Sequence, residues 1–488
     1  MRVGPNLSQH RGARPLNSRR RYLQASAICC DATKLRPRAD NQLDLSENPT
    51  ELTNGASVDA AREIVQFVRS QSRGEPRRAG PATYVWILLP LCLLATLFPH
   101  NYLMIAICIG VALVAALFAG VRPVGNAPIW AVLFFVLGVS SVAWSIDPAS
   151  TAANTAFELA LLGAFLSAYF LTQDARAPTA PLLCLAIAGV ATATVYIVLS
   201  RVDPGVAFNL DPTAISLTRP TLSWVDTNYT AYAINLGIAA VAALTLTPFG
   251  RRGRFLWVVV AGSLALCGIA LLETGTRSAL SSVILIGLAY PLARWKSRLA
   301  IRAGLAAYLA LTLLSCFGLL ETVVKAIGID QLRDDATGGT LGGRDTLWRN
   351  SLDAARQNPL LGVGQSAYGG TITQGISTHN VALSVLLSLG IIGLVVFSIF
   401  FIKSFHPPMD DSHFSTVTRG TVALILWASL PPLFGGAWVD TFANWVAMGI
   451  AGGLAAQAAV RRRAADRNCG AERRVRGLQP VVSSECDP

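Results

Sequence analysis

Charge is scarce in this chain. Asp, Glu, Lys and Arg make up 14% of its 488 residues, where a soluble globular chain carries about 25%. The shortage falls between Tyr84 and Val460, the stretch that also holds nearly all of the apolar surplus. The tails lack the opposite ingredient. Residues 1–82 and 461–488 are polar and arginine-rich, and neither has enough apolar side chains to close a core. These two shortages exclude a second soluble domain and leave one membrane domain, 83–460, between two basic cytoplasmic tails. Disorder is the expectation for 1–82, with a short amphipathic helix from Val58 to Ser70 at the membrane surface.

Other absences narrow the chemistry. No P-loop or dinucleotide fingerprint is present, and no His, Cys, Asp and Glu cluster has metal-ligand spacing. Asp334-Asp335 reads as an exposed turn. Neither a metal nor a cofactor is expected. Five cysteines lie inside apolar runs and four in the tails, so no structural disulfide is expected. No cleavable signal peptide is visible, because the first apolar run begins beyond residue 80; its helix is expected to serve as an uncleaved anchor. The net charge of +12 does not indicate nucleic acid. It sits in blocks such as Arg251-Arg252-Gly253-Arg254 and Arg461-Arg462-Arg463 beside apolar runs, where such blocks meet anionic lipid heads.

What is present is a series of runs near the ~20 residues that span a bilayer as a helix. They fall at 84–98, 102–121, 128–146, 156–171, 181–199, 228–246, 255–272, 278–292, 303–320, 379–401, 420–438 and 441–460. The chain is therefore predicted to be an all-α, polytopic membrane protein of about twelve helices. A large outer loop, 321–378, precedes the tenth. With both termini inside, the Lys and Arg left outside are Arg201, Arg219, Arg277 and five residues of that loop; the other 32 of the 40 lie inside. That is the bias expected of cytoplasmic segments.

The outer segments carry the candidate chemistry. The large loop contains Gly342-Gly343-Arg344-Asp345-Thr346-Leu347-Trp348. A helix from about Arg344 to Gln357 fits, stopped by Pro359. Arg344 lies one turn before Trp348, on the face with Leu352 and Ala355. Arg349 lies elsewhere, flanked by Asp345 and Asp353 at four-residue spacing, as on a solvated ion-paired face. Arg344 has no such partner. It sits where free backbone N–H groups attract anions, and Gly342 and Gly343 would let the backbone approach a phosphate. Snorkelling to lipid heads is the structural alternative for it. In the turn Glu273-Thr274-Gly275-Thr276-Arg277-Ser278, Arg277 is either an anion ligand or the partner of Glu273. Arg219 is a third basic candidate. His379, followed by Asn380, opens a span whose positive end would disfavour an imidazolium. It is either a polar cap or a proton acceptor. Arginines bind phosphate with a fork that never loses its charge. Arginines beside a histidine suit group transfer from a membrane-borne pyrophosphate donor.

These residues, in this order, resemble the O-antigen ligase and polymerase superfamily of bacterial envelope glycosyltransferases. The resemblance is carried by Thr274-Gly275-Thr276-Arg277-Ser278, Gly343-Arg344 with Trp348, Asn358-Pro359-Leu360-Leu361-Gly362-Val363-Gly364, His379-Asn380 and Gly390-Ile391-Ile392-Gly393-Leu394. It covers roughly 270–400. It implies metal-independent transfer of a glycan from undecaprenyl pyrophosphate to a glycolipid or growing polysaccharide, on the outer face of the bacterial inner membrane. Arg277 and Arg344 would hold the pyrophosphate, and His379 would orient or deprotonate the acceptor hydroxyl. Members often carry Ser where Thr276 stands. Ligases and repeat-unit polymerases share these motifs. A polysaccharide transporter or flippase is the alternative from another class, since twelve spans also suit one. The charges at span edges weigh against it, as does the lack of an internal repeat. Glu158, the one acid inside a span, is read as lying near its outer end.

An epitope tag placed within 321–378 is expected to be reached by reagents that do not cross the inner membrane. Finding it cytoplasmic would reverse the orientation and the mechanism with it.

Overall fold

Inside a bilayer no water satisfies a backbone N–H or C=O, so an apolar segment must pair them within itself, and a helix does so. The computed structural model describes residues 84–98, 101–118, 121, 124–173, 175, 179–202, 227–246, 254–319, 344–367, 378–406, 416–435 and 441–457. Every regular element among them is helical. Helix α1 (Leu88–Leu97) follows a 3-10 turn, Tyr84–Ile87. Then come α2 (Tyr102–Phe118), α3 (Ala127–Ser140) with a 3-10 turn at Ser141–Ala143, α4 (Pro148–Gln173), α5 (Thr179–Val202) and α6 (Thr227–Thr245). They are followed by α7 (Arg254–Thr274), α8 (Arg277–Trp295), α9 (Ser297–Cys316), α10 (Arg344–Gln357), α11 (Val381–Phe405), α12 (Thr416–Gly435) and α13 (442–457).

Among the described residues, seven helices are long and apolar enough to cross a membrane: α4, α5, α7, α8, α9, α11 and α12. The sequence predicts twelve. Helices α1 to α3 are apolar but shorter, and the described part of α13 is short as well. Helix α6 carries Asn228, Thr230 and Asn235, polarity that a helix sheltered by its neighbours tolerates; Asn235 is fully buried and donates to the Ala428 carbonyl at 3.0 Å. Boundaries also move. Helix α4 starts at Pro148 rather than near 156, which carries Glu158 about 15 Å along the helix from its start. Glu158 is buried there, not placed at the edge.

The core sits around α12 and α13, whose described residues are nearly all buried. Lipid supplies no hydrophobic drive between helices, so close backbone approach does the work. A Cβ at Gly449 would collide with the Phe165 carbonyl, and one at Gly453 with the Tyr169 carbonyl. Glycine at these positions lets α13 lie against α4. Aromatic rings fill the remaining space. Trp445 stacks on Phe400 with centroids 5.7 Å apart, and Tyr308 of α9 stacks on Phe401 at 4.2 Å. Helix α11 is thereby held at the centre, with α9 and α13 on either hand and α3 alongside.

That central helix is not continuous. At Gly390 the backbone turns to φ +64°, ψ −164°. The break severs the helical bonds that Ile391 and Ile392 would make to the carbonyls of Leu387 and Ser388. All four orphaned groups find partners in Pro359–Gly364. Val363 N–H donates to the Leu387 carbonyl (2.9 Å) and Gly364 N–H to that of Ser388 (2.9 Å). Ile391 N–H donates to the Pro359 carbonyl (2.8 Å) and Ile392 N–H to that of Leu360 (3.4 Å). The same segment is held on its other side by the α3–α4 turn. Ile146 N–H donates to the Val363 carbonyl (3.0 Å), and the Trp144 indole N–H to that of Leu361 (2.9 Å). Gln365 N–H donates to the Ser141 hydroxyl (2.9 Å).

Only glycine fits at the crossing. Gly362 has φ +69°, and a Cβ on it would strike the Ser388 carbonyl; a Cβ on Gly390 would strike that of Leu360. Positive φ alone costs a residue with a Cβ about 1–3 kcal/mol. Gly362→Ala and Gly390→Ala are expected to lower the thermal unfolding midpoint of the detergent-solubilised protein. Gly110→Ala, where nothing lies within 4 Å, should leave it unchanged.

Candidate functional site

The α7–α8 turn is built from small hydroxyl residues. Gly275 takes φ +61°, which lets the chain reverse between two antiparallel helices. The buried Thr274 hydroxyl donates to the Leu271 carbonyl at 2.7 Å, and Thr276 sits extended and buried as the N-cap of α8. Arg277 is thus the first residue of α8 and is exposed. Glu273, its alternative partner, is engaged elsewhere. Its carboxylate accepts from Arg201 at the end of α5, at 2.8 Å. Among the described residues no ion pair joins Glu273 to Arg277. The Arg201 side chain is 73% exposed, so the pair itself adds little stability. Sequence reasoning counted Arg201 only as an outer charge. Its signal was a basic residue in the last turn of a span.

Helix α10 forms where predicted, Arg344–Gln357. Leu347, Ser351 and Ala355 are buried, Trp348 and Leu352 are half-buried, and Arg349 is exposed. By helical register, position 344 belongs to the stripe of Leu347, Trp348, Ser351 and Ala355. The exposed Asp353 pairs with Arg356 at 2.9 Å, at three-residue spacing. The side chain of Arg344, together with Arg219, Gly342 and Gly343, lies outside the described residues.

Helix α10 packs against α11, and one bond joins it to the histidine's segment. The Trp348 indole N–H donates to the Thr378 carbonyl at 2.8 Å. His379 is half-buried and has φ +50°. It stands before α11 rather than within it, because Asn380 is the cap. The Asn380 carboxamide oxygen accepts from Leu383 N–H at 3.2 Å, and its nitrogen donates to the Ser315 hydroxyl of α9 at 3.0 Å. Asn380 is 1% exposed. Both ends of its amide are committed within the protein, so it shapes the histidine's setting from below.

Topology carries these residues to one end of the bundle. Helices α8 and α9 are antiparallel and packed together, joined at Lys296. Arg277 at the start of α8 and Ser315 at the end of α9 therefore share an end, and Ser315 touches Asn380. Arg294, Lys296, Arg298, Arg302 and Lys403 lie at the opposite end, where the same helices reverse. His406 shows that clustering: burial lowers its pKa first, and the positive charges of Lys403 and Arg302 lower it further. Among the described residues no three His, Cys, Asp or Glu side chains converge in a way that would hold a metal ion.

A family model described as O-antigen ligase matches residues 262–398. No curated protein matches the chain. The matched stretch runs from α7 to α11 and contains Arg277, Arg344, the Pro359–Gly364 segment, His379 and Gly390. Over these residues the chain carries an O-antigen ligase domain.

Proposed function

We propose that the protein is a membrane glycosyltransferase which moves a glycan from undecaprenyl pyrophosphate to an acceptor hydroxyl on the outer face of the inner membrane. The observation that carries this reading is the family match over the segment that brings Arg277, the start of α10 and His379 to one end of the bundle. The opposite end bears the basic cluster, which supports placing it toward the cytoplasm. The donor would then be presented from the outer leaflet, where a lipid carrier can reach the site and a nucleotide sugar cannot.

In the reaction, Arg277 and Arg344 hold the pyrophosphate, with Gly342, Gly343 and Arg219 as further ligands. The acceptor oxygen attacks the anomeric carbon from the face opposite the phosphate, and the glycosyl–phosphate bond breaks with inversion. The leaving undecaprenyl pyrophosphate keeps the electron pair, and the fixed guanidinium charges stabilise it as it develops. His379 takes the hydroxyl proton. The arginines supply in place the charge that a metal supplies elsewhere, so the reading needs neither metal nor cofactor.

Ligase and repeat-unit polymerase differ only in the acceptor. A glycolipid profile of a deletion strain separates them. Loss of a ligase leaves lipid-linked polymer unattached, whereas loss of a polymerase leaves single repeats. Loss of a transporter would instead strand the intermediate on the inner leaflet. The buried Glu158 is the feature that favours this second reading, since an intramembrane acid often marks a transport path. Arg277→Ala, Arg344→Ala and His379→Ala are each expected to cut transfer by ~10²-fold or more with the protein still in the membrane. Arg349→Ala, on the exposed face, should stay within about twofold. Normal glycan output from Arg344→Ala would overturn the pyrophosphate role, and a loss at Arg349 equal to that at Arg344 would overturn the face assignment.

A further inference from the structure

His379 holds a left-handed backbone conformation, φ +50°. Residues with a Cβ adopt it uncommonly, Asn, Asp and His more readily than the rest, and where the surroundings hold it such a conformation clusters at functional sites. Here the surroundings can be named. The Trp348 indole fixes the Thr378 carbonyl at 2.8 Å. The Thr378 hydroxyl donates forward to the Asn380 carbonyl at 3.0 Å. Asn380 is tied to Leu383 N–H and to Ser315. Thr378 and Asn380 are 0% and 1% exposed, so water does not compete for these bonds.

The bonds do different things. Those from Asn380 set the start of α11. The bond from Trp348 holds the peptide plane between Thr378 and His379. Rotation about the His379 N–Cα bond is measured against that plane, so holding the carbonyl fixes one of the two sides that define φ at residue 379. It is also the bond that comes from α10, where Trp348 lies one turn after Arg344. An indole N–H can only donate, and here it donates to the peptide that carries the histidine. Phenylalanine would fill most of the same space without a donor.

We propose that Trp348 is a positioning residue. Its hydrogen bond to Thr378 sets the imidazole of His379 in register with the anion-binding start of α10. Donor phosphate and acceptor hydroxyl then meet at a fixed separation. This rests on the reading that His379 takes the acceptor proton. Ser315 supports the same histidine from α9, through Asn380.

The test uses the purified full-length protein in nanodiscs, with an undecaprenyl-pyrophosphate-linked glycan as donor and a glycolipid acceptor. Steady-state transfer is followed by a radiolabel on the donor. Trp348→Phe is expected to lower kcat ~10- to 100-fold, the order that a misplaced catalytic group costs. Donor KM should stay within about twofold. Ser315→Ala, which leaves α10 untouched, should show the same split with a smaller loss. Trp348→Phe placed on His379→Asn should be no slower than His379→Asn alone, since asparagine tolerates positive φ and the proton acceptor is already gone. The positioning role is overturned if Trp348→Phe leaves kcat unchanged, if it acts through donor KM, or if its loss multiplies with that of His379→Asn. A fully active His379→Asn would instead overturn the proton-acceptor reading, which the Trp348→Phe single variant does not test.

Discussion

A helix interrupted within a membrane domain is tolerated only if every backbone group it frees finds a partner, because the lipid provides none. The rest of this structure depends on how α11 meets that condition. The break at Gly390 frees two carbonyls and two N–H groups, and Pro359–Gly364 returns one partner to each. Groups left unpaired in such a place cost several kcal/mol apiece, so break and segment stand or fall together. The segment also reaches the α3–α4 turn through Trp144, Ile146 and Ser141. One short stretch therefore couples the first third of the membrane domain to the central helix.

The site is built upon that joint. The segment Pro359–Gly364 begins two residues after α10 ends. Fixing it to α11 brings α10 against the same helix that His379 precedes. Trp348 then closes a second link, above the first. Helix α9 adds a third through Ser315. The histidine sits where three helices are cross-tied, and its backbone strain is held by bonds that water does not reach. Arg277 needs no such scaffold. It opens α8 at the same end because α8 and α9 are antiparallel neighbours, and Glu273 is drawn away by Arg201.

Much of the architecture was legible because its cause is local. Helix α10 lies at its predicted limits, since a Gly-Gly pair and a proline punctuate it and its apolar stripe repeats every three to four residues. The exposure of Arg349 follows from the same register. The motifs that carry the family resemblance were legible as strings. Their purpose was not: Asn358–Gly364 and Gly390–Leu394 read as two separate motifs, whereas they are two sides of one joint. Periodicity sees an unbroken apolar run through Gly390, because the break keeps the run apolar and changes only which carbonyl each N–H meets. Helix α6 was legible in spite of Asn228 and Asn235, since the predicted run 228–246 coincides with Thr227–Thr245.

The sequence by itself determined that this is a helical membrane protein, which segments are apolar, where the basic residues gather and which family the stretch 262–398 resembles. Each follows from composition or from residues near one another along the chain. Only the tertiary structure decided that Ser315 holds the Asn380 amide, that Glu273 pairs with Arg201, and that Trp348 reaches the segment of His379. Those pairings join residues from 30 to 72 positions apart, as far as Arg201 is from Glu273. A hydrogen bond of fixed length and direction between such residues is set by how helices pack, and no local pattern in the chain encodes it.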